Sequence, residues 1–279
     1  MTEQNSTTAA PNRAAAPFYA PVGNEVEVFL AARRRGFPVM LKGPTGCGKT
    51  RLVEHVAGIA GVPLYTVSCH EDMTASDLIG RFVLTGGSTE WIDGPLTRAV
   101  REGGICYLDE IVEARQDATV VIHSLTDHRR ELNLERRGGE RITAADGFQL
   151  VVSYNPGYQS VLKDLKSSTR QRMVAIDMDF PPPEVEIEIV RHEADVDPPV
   201  ADALVRLGTA IRRVSDAGLR EVASTRTLIT AAALIAEGLS FHDAAMASIT
   251  GPLTDDRAMS TGLAGIIEAH DAAQWPAES

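Results

Sequence analysis

The chain has 279 residues, 44% of them hydrophobic and 23% charged, an ordinary globular composition with room for one large domain or a core plus a smaller companion. Its formal net charge of −11 argues against nucleic acid as the main partner, because a phosphate backbone calls for basic surface. No apolar run approaches the ~20 residues needed to span a membrane, no signal peptide opens the chain, and Cys47, Cys69 and Cys106 lack metal-ligand spacing, so a cytoplasmic protein with reduced thiols is expected.

Met1 to Ala16 is rich in Thr, Ala, Asn and Gln, and reads as a disordered tail (1–16). Order is expected from Pro17, with Asn24 capping a helix over Glu25 to Arg35 that Gly36 ends. Phe37 to Leu41 is an apolar run of the buried-strand kind, and the next residues, GPTGCGKT from Gly43 to Thr50, fit G-x-x-x-x-G-K-[ST]. From Arg51 to Ala57 apolar residues recur at helical spacing. A glycine loop between strand and helix suits a phosphate, since backbone N–H groups turn inward and the new helix points its positive end at the same spot. The expected nucleotide-binding positions are Gly43, Pro44, Thr45, Gly46, Cys47, Gly48 and Arg51, with Lys49 reaching the β- and γ-phosphates of ATP and Thr50 holding Mg²⁺. An accidental glycine turn would lack this strand and helix on either side.

Pro63 to Ser68 reads as a second strand and Ala75 to Ile79 as a short helix. Gly80 to Gly94 places Gly86-Gly87 between two extended runs, a hairpin signal, with Trp91 either its anchor or a contact at its tip. After a helix from Pro95 to Glu102 comes ICYLDE, Ile105 to Glu110, an apolar strand ending in two acids. Two acids after a strand often mean no more than a helix cap. Downstream of the phosphate loop they read as its far side: Asp109 holding Mg²⁺ through water, and Glu110 polarising the water that attacks the γ-phosphate. A helix over Glu113 to Leu125 precedes a second hairpin, Arg130 to Thr143, with Gly138-Gly139 and a charged tip at Arg136 and Arg137. Phe148 to Ser153 is another buried strand, leading to Asn155, where an amide could orient the lytic water or sense the γ-phosphate; a lone Asn-Pro also initiates turns. Lys163, Lys166, Arg170 and Arg172 precede a last strand over Met173 to Met178, and Pro181 to Pro183 mark a boundary. Everything beyond reads helical, over Glu184–Ala194, Pro199–Ser215, Ser224–Glu237, Phe241–Ile249 and Asp255–Ala272.

Five buried strands alternating with helices predict an α/β fold, a doubly wound parallel sheet with two inserted hairpins (17–180) and a small all-helical lid (184–272). The phosphate loop, ICYLDE, Asn155 and an arginine before the last strand resemble an AAA+ P-loop ATPase, and the two hairpins are similar to the MoxR group. Longer stretches, VMLKGPTGCGKTRLVE, CHEDMTASDLIGRF, VVSYNPGYQS, LKDLKSSTRQRM and ASTRTLI, resemble the CbbQ/NirQ/NorQ type. The resemblance implies a homo-oligomeric ring, usually a hexamer, with ATP between neighbours. It matches the arginine finger to Arg172, with Arg170 as second candidate because Met173 stands where the family usually has Phe, and sensor 2 to Arg226. Both roles suit a rigid guanidinium fork sharing charge with phosphate oxygens. It further implies a partner carrying a von Willebrand factor A domain and a metabolic client: Rubisco, freed of inhibitory sugar phosphates, or nitric oxide reductase, aided in metal insertion. A small-molecule kinase would leave Asn155, Arg172, the hairpins and the lid idle. A DNA motor would need a basic stripe. A nucleotide-gated scaffold with negligible turnover is the remaining rival.

Overall fold

The computed structural model describes residues 16–156, 167–215 and 222–274. The expected tail before Ala16, and Lys163 and Lys166, lie outside them. The chain forms two compact units, one of residues up to Gly43 with Lys49–Met178, the other of Pro44–Gly48 with the residues from Asp179 onward. Among the described residues no helix is long and apolar enough to cross a membrane.

The first unit contains strands β1 (Val39–Lys42), β2 (Leu64–Ser68), β3 (Gly80–Thr85), β4 (Ser88–Asp93), β5 (Ile105–Asp109), β6 (Glu131–Leu134), β7 (Glu140–Thr143), β8 (Gln149–Tyr154) and β9 (Val174–Asp177). Its helices are α1 (Glu25–Arg34), α2 (Lys49–Ala60), α3 (Ala75–Ile79), α4 (Pro95–Glu102), α5 (Gln116–Val121) and α6 (Ser167–Arg170). Five strands make one sheet in the order β2-β5-β8-β1-β9, every pair parallel. The three inner strands are covered on both faces, which is why their centres read as apolar runs rather than as alternation. Alternation reappears in the packing. Ile105 and Tyr107 join the core that holds Leu52, Val53 and Val56 of α2, while Cys106 and Leu108 join the one that holds Leu96 and Val100 of α4.

Both expected hairpins form, β3 with β4 and β6 with β7. Gly86 and Gly87 stand at φ 59° and 88°, the left-handed pair that a tight hairpin turn requires. Trp91 anchors the first hairpin: it packs against the core, meets Phe82 edge-on at 5.1 Å, and donates its indole N–H to Asp93 at 2.6 Å. Arg101 of α4 donates to Asp93 at 2.9 Å and to Glu140 of β7 at 2.7 Å, so one guanidinium grips both hairpins. At the second tip, Arg136 donates to Ser76 of α3 at 2.6 Å and Arg137 pairs with Glu140 at 3.0 Å.

Two local expectations are corrected. Asn24 stands at the N-cap of α1 without a side-chain bond. Glu25, the first helical residue, instead ties down the turn ahead of the helix, its carboxylate accepting from the N–H groups of Val22 and Gly23, both at 2.8 Å, and from the Tyr19 hydroxyl at 2.9 Å. The helix expected over Glu113 to Leu125 is broken into a 3₁₀ turn at Ile111–Glu113, α5, and another 3₁₀ turn at His123–Leu125, because Ala114 and Arg115 are extended.

The second unit is helical: α7 (Pro183–Ala194), α8 (Pro198–Ser215), α9 (Thr225–Ala236), α10 (Phe241–Ala245), α11 (Gly251–Leu253) and α12 (Arg257–Gln274). A π-helical turn, Met246–Thr250, joins α10 to α11 just before Pro252, whose missing N–H interrupts the regular ladder. Ser224 caps α9, its hydroxyl accepting from Thr227 N–H at 3.3 Å. At the centre lies Glu186, 0% exposed. Its carboxylate takes both Arg212 Nη atoms at 2.7 and 2.8 Å and the Thr225 hydroxyl at 2.6 Å. Arg212 also donates from Nε to the Ala223 carbonyl at 2.6 Å and lies 4.1 Å from the centre of the Phe180 ring.

Candidate active site

The C-terminal edge of a parallel sheet is where α/β folds place their ligands. Here that edge is set by register: Lys42 of β1 lies beside Tyr154 of β8, and Ser68 of β2 beside Asp109 of β5. Gly43 continues the pairing, donating its N–H to the Tyr154 carbonyl at 3.3 Å. Gly46 and Gly48 follow at φ 77° and 100°, conformations open to glycine, and Cys47 between them is buried. Lys49 opens α2 nearly buried, its Nζ donating to the Gly43 carbonyl at 2.9 Å. Thr50 is half-buried, and Arg51 pairs with Glu54 at 3.8 Å.

Beside Thr50 stands Asp109. Its Oδ2 lies 3.5 Å from the Thr50 hydroxyl. Its Oδ1 accepts from the Tyr107 hydroxyl at 2.7 Å and from the Ser153 hydroxyl. Thr50 Oγ1 is also 3.4 Å from the Tyr107 hydroxyl. Glu110, next along, is exposed and held at φ 56°, ψ 46°, a left-handed conformation that costs a side chain about 1–2 kcal/mol. Its N–H is anchored on the Ser153 hydroxyl at 3.1 Å. Burial, together with the Asp109 and Glu110 carboxylates, pushes the nearby Cys69 thiol up to about 12. Burial and the Asp109 charge likewise push the Tyr107 phenol up, so it stays a donor.

Of the expected residues, Lys49, Thr50, Asp109 and Glu110 meet at this edge. Asn155 follows β8 directly and is half-buried. Arg170 ends α6, and Arg172 is exposed in the turn before β9. Arg226 is exposed in the first turn of α9, in the helical unit. Two residues at the site were not singled out from sequence, Tyr107 and Ser153. The available signal was a polar atom at a buried position in each of two strands whose centres are apolar.

Among the described residues no group of three or more His, Cys, Asp or Glu side chains is placed to hold a metal. A hydroxyl and a carboxylate are hard oxygen donors, and such a pair suits Mg²⁺, which keeps waters and takes the rest of its shell from substrate phosphates.

A model of the AAA domain, dynein-related subfamily, matches residues 38–173, and a model of the CbbQ/NirQ/NorQ C-terminal region matches residues 186–270. Protein NorQ of Paracoccus denitrificans is 56% identical over 254 residues, covering 91% of this chain and 94% of its own. Denitrification regulatory protein NirQ of Stutzerimonas stutzeri is 54% identical over 255 residues, 91% and 92% of the two chains. Protein CbbQ of Hydrogenophilus thermoluteolus is 55% identical over 240 residues, 86% and 90%. Among solved structures, a mutant of RuvB from Thermotoga maritima aligns with TM-score 0.53 at 16% identity, covering 88% of this chain and 68% of that one, a likeness of fold alone.

Proposed function

The chain belongs to the CbbQ/NirQ/NorQ family of AAA ATPases, and from that premise we propose that it is an ATP-driven activating chaperone, assembled as a ring, usually a hexamer, that works with a von Willebrand factor A domain partner on a metabolic enzyme. Rubisco is the proposed client. Nitric oxide reductase is the second reading, supported by NirQ and NorQ relatives at 54 and 56% identity beside CbbQ at 55%.

In this reading residues 17–180 form the nucleotide-binding domain and 184–272 its lid. The phosphate loop binds the triphosphate through backbone N–H groups, and Lys49 carries positive charge to the β- and γ-phosphates. Thr50, with Asp109 through water, would hold Mg²⁺, which would supply charge neutralisation at the phosphates. Glu110 takes a water proton as the water attacks, and Asn155 orients that water. Arg172, with Arg170 as the alternative, completes the neighbouring subunit's site, and Arg226 serves as sensor 2.

The observation that carries this reading is the approach of Thr50 to Asp109, 3.5 Å between oxygens, with Glu110 next in the chain. Glu110→Gln should keep ATP binding and lower hydrolysis by about 10²–10⁴-fold, measured as phosphate release beside nucleotide affinity. Normal turnover in that variant would refute the assignment. Client activation that persists in it would favour a nucleotide-gated scaffold.

A further inference from the structure

The two oxygens of Asp109 have different surroundings. Oδ1 accepts from two hydroxyls, Tyr107 and Ser153, and Oδ2 faces the Thr50 hydroxyl. Both donors are 0% exposed. A buried tyrosine needs a partner for its hydroxyl, and a phenylalanine would fill the same core space without one. Tyr107 has one proton to give. With that proton on Asp109, its oxygen can only accept, and the Thr50 hydroxyl stands 3.4 Å away beside that of Ser153, whose own proton goes to Asp109. This is long for a hydroxyl bond, and a shift of about 0.5 Å would make it an ordinary one.

A threonine that binds a metal does so through an oxygen lone pair, so its proton must point elsewhere. Tyr107 supplies that elsewhere and turns the Asp109 carboxylate at the same time. Ser153 adds the second hold on Oδ1, and its remaining lone pair takes the Glu110 N–H at 3.1 Å. We propose that Tyr107, seconded by Ser153, is a positioning residue of the magnesium site: it occupies Oδ1 of Asp109 and receives the Thr50 proton, which aims Oδ2 and the threonine lone pair at the ion. The proposal rests on the reading of Thr50 and Asp109 as the metal-side ligands.

The test compares binding of a fluorescent ADP analogue to the full chain in chelator and across a Mg²⁺ titration, for the parent, Tyr107→Phe, Ser153→Ala and Asp109→Asn. Phe keeps the packing, and a thermal melt checks that the variants fold. Tyr107→Phe should leave metal-free binding unchanged while the Mg²⁺ concentration for half-maximal effect rises by about 10- to 100-fold. Ser153→Ala should move it in the same direction. An unchanged Mg²⁺ response in a folded Tyr107→Phe variant, with Asp109→Asn impaired, overturns the proposal alone. An unchanged response in Asp109→Asn overturns the ligand reading and the proposal with it. Loss of metal-free binding in Tyr107→Phe would mean damage to the phosphate loop, and that also overturns it.

Discussion

Removing the charge of Glu186 should loosen the helical unit out of proportion to the size of the change. Its side chain is 1% exposed, that of Arg212 16%, and three donors converge on the carboxylate. Glu186→Gln keeps the shape, but the amide presents N–H to a guanidinium and leaves a largely buried cation without its counter-charge. Removing one partner of such a pair costs about 3–5 kcal/mol, and the retained amide oxygen puts the Gln variant near the lower end. Arg212→Met should cost about as much, since it leaves the carboxylate buried with only the Thr225 hydroxyl. The double variant Glu186→Met, Arg212→Met buries no charge. Its main deficits are then the Ala223 carbonyl, which loses its donor, and the buried Thr225 hydroxyl, which loses its acceptor, about 1–3 kcal/mol each. The double should therefore be more stable than the sum of the singles by several kcal/mol. Urea unfolding followed by far-ultraviolet circular dichroism reads these differences, and low and high salt should give nearly the same values because the pair is screened little. A loss under about 1 kcal/mol in Glu186→Gln, or strict additivity in the double, would refute the reasoning.

Arg172→Ala mixed with Lys49→Ala should recover part of the turnover that each lacks alone, because some interfaces then hold one intact site. Full activity of a dilute monomer would contradict it. Cys69 should resist alkylation in the folded chain at about pH 8, where its raised pKa keeps the thiolate scarce, and should label on unfolding; rapid native labelling would sink this. The same shift has a sign for stability. The folded chain holds the proton more tightly, so this contribution is full below the ordinary thiol value of 9.0 and is lost as pH rises through about 12, which denaturation across that window would detect.

The sheet was legible because its inner strands are buried on both faces, so GPTGCGKT and ICYLDE each adjoin a run with no polar interruption. The hairpins were legible from glycine pairs that only a tight turn needs. Local pattern failed where a distant group decided. The apolar spacing from Glu113 to Leu125 suits a helix, yet Ala114 and Arg115 are extended, and the Asp117 carboxylate accepts from Ala75 N–H at 3.4 Å, 42 residues away. Asn24 is a good cap by type, yet its side chain makes no cap bond, and Glu25 binds Val22 and Gly23 ahead of the helix. Tyr107 reads as one more β-former until Asp109 and Thr50 are seen around its hydroxyl. Arg172 and Arg226 are both exposed, so burial does not mark them, and only the family resemblance singles them out.

The grip of Arg101 on Asp93 and Glu140 gives the two insertions the properties of a clutch. Each contact is partly exposed, with side chains 23–33% accessible, and is worth at most about 1 kcal/mol. Engaged, it makes a push on either hairpin a push on both, with α4 as the shaft between them. The energy that holds it is small, a few times thermal energy, beside the backbone ladder that holds each hairpin together. Replacing Arg101 would leave each hairpin its own ladder and remove the bonds that this guanidinium makes to both.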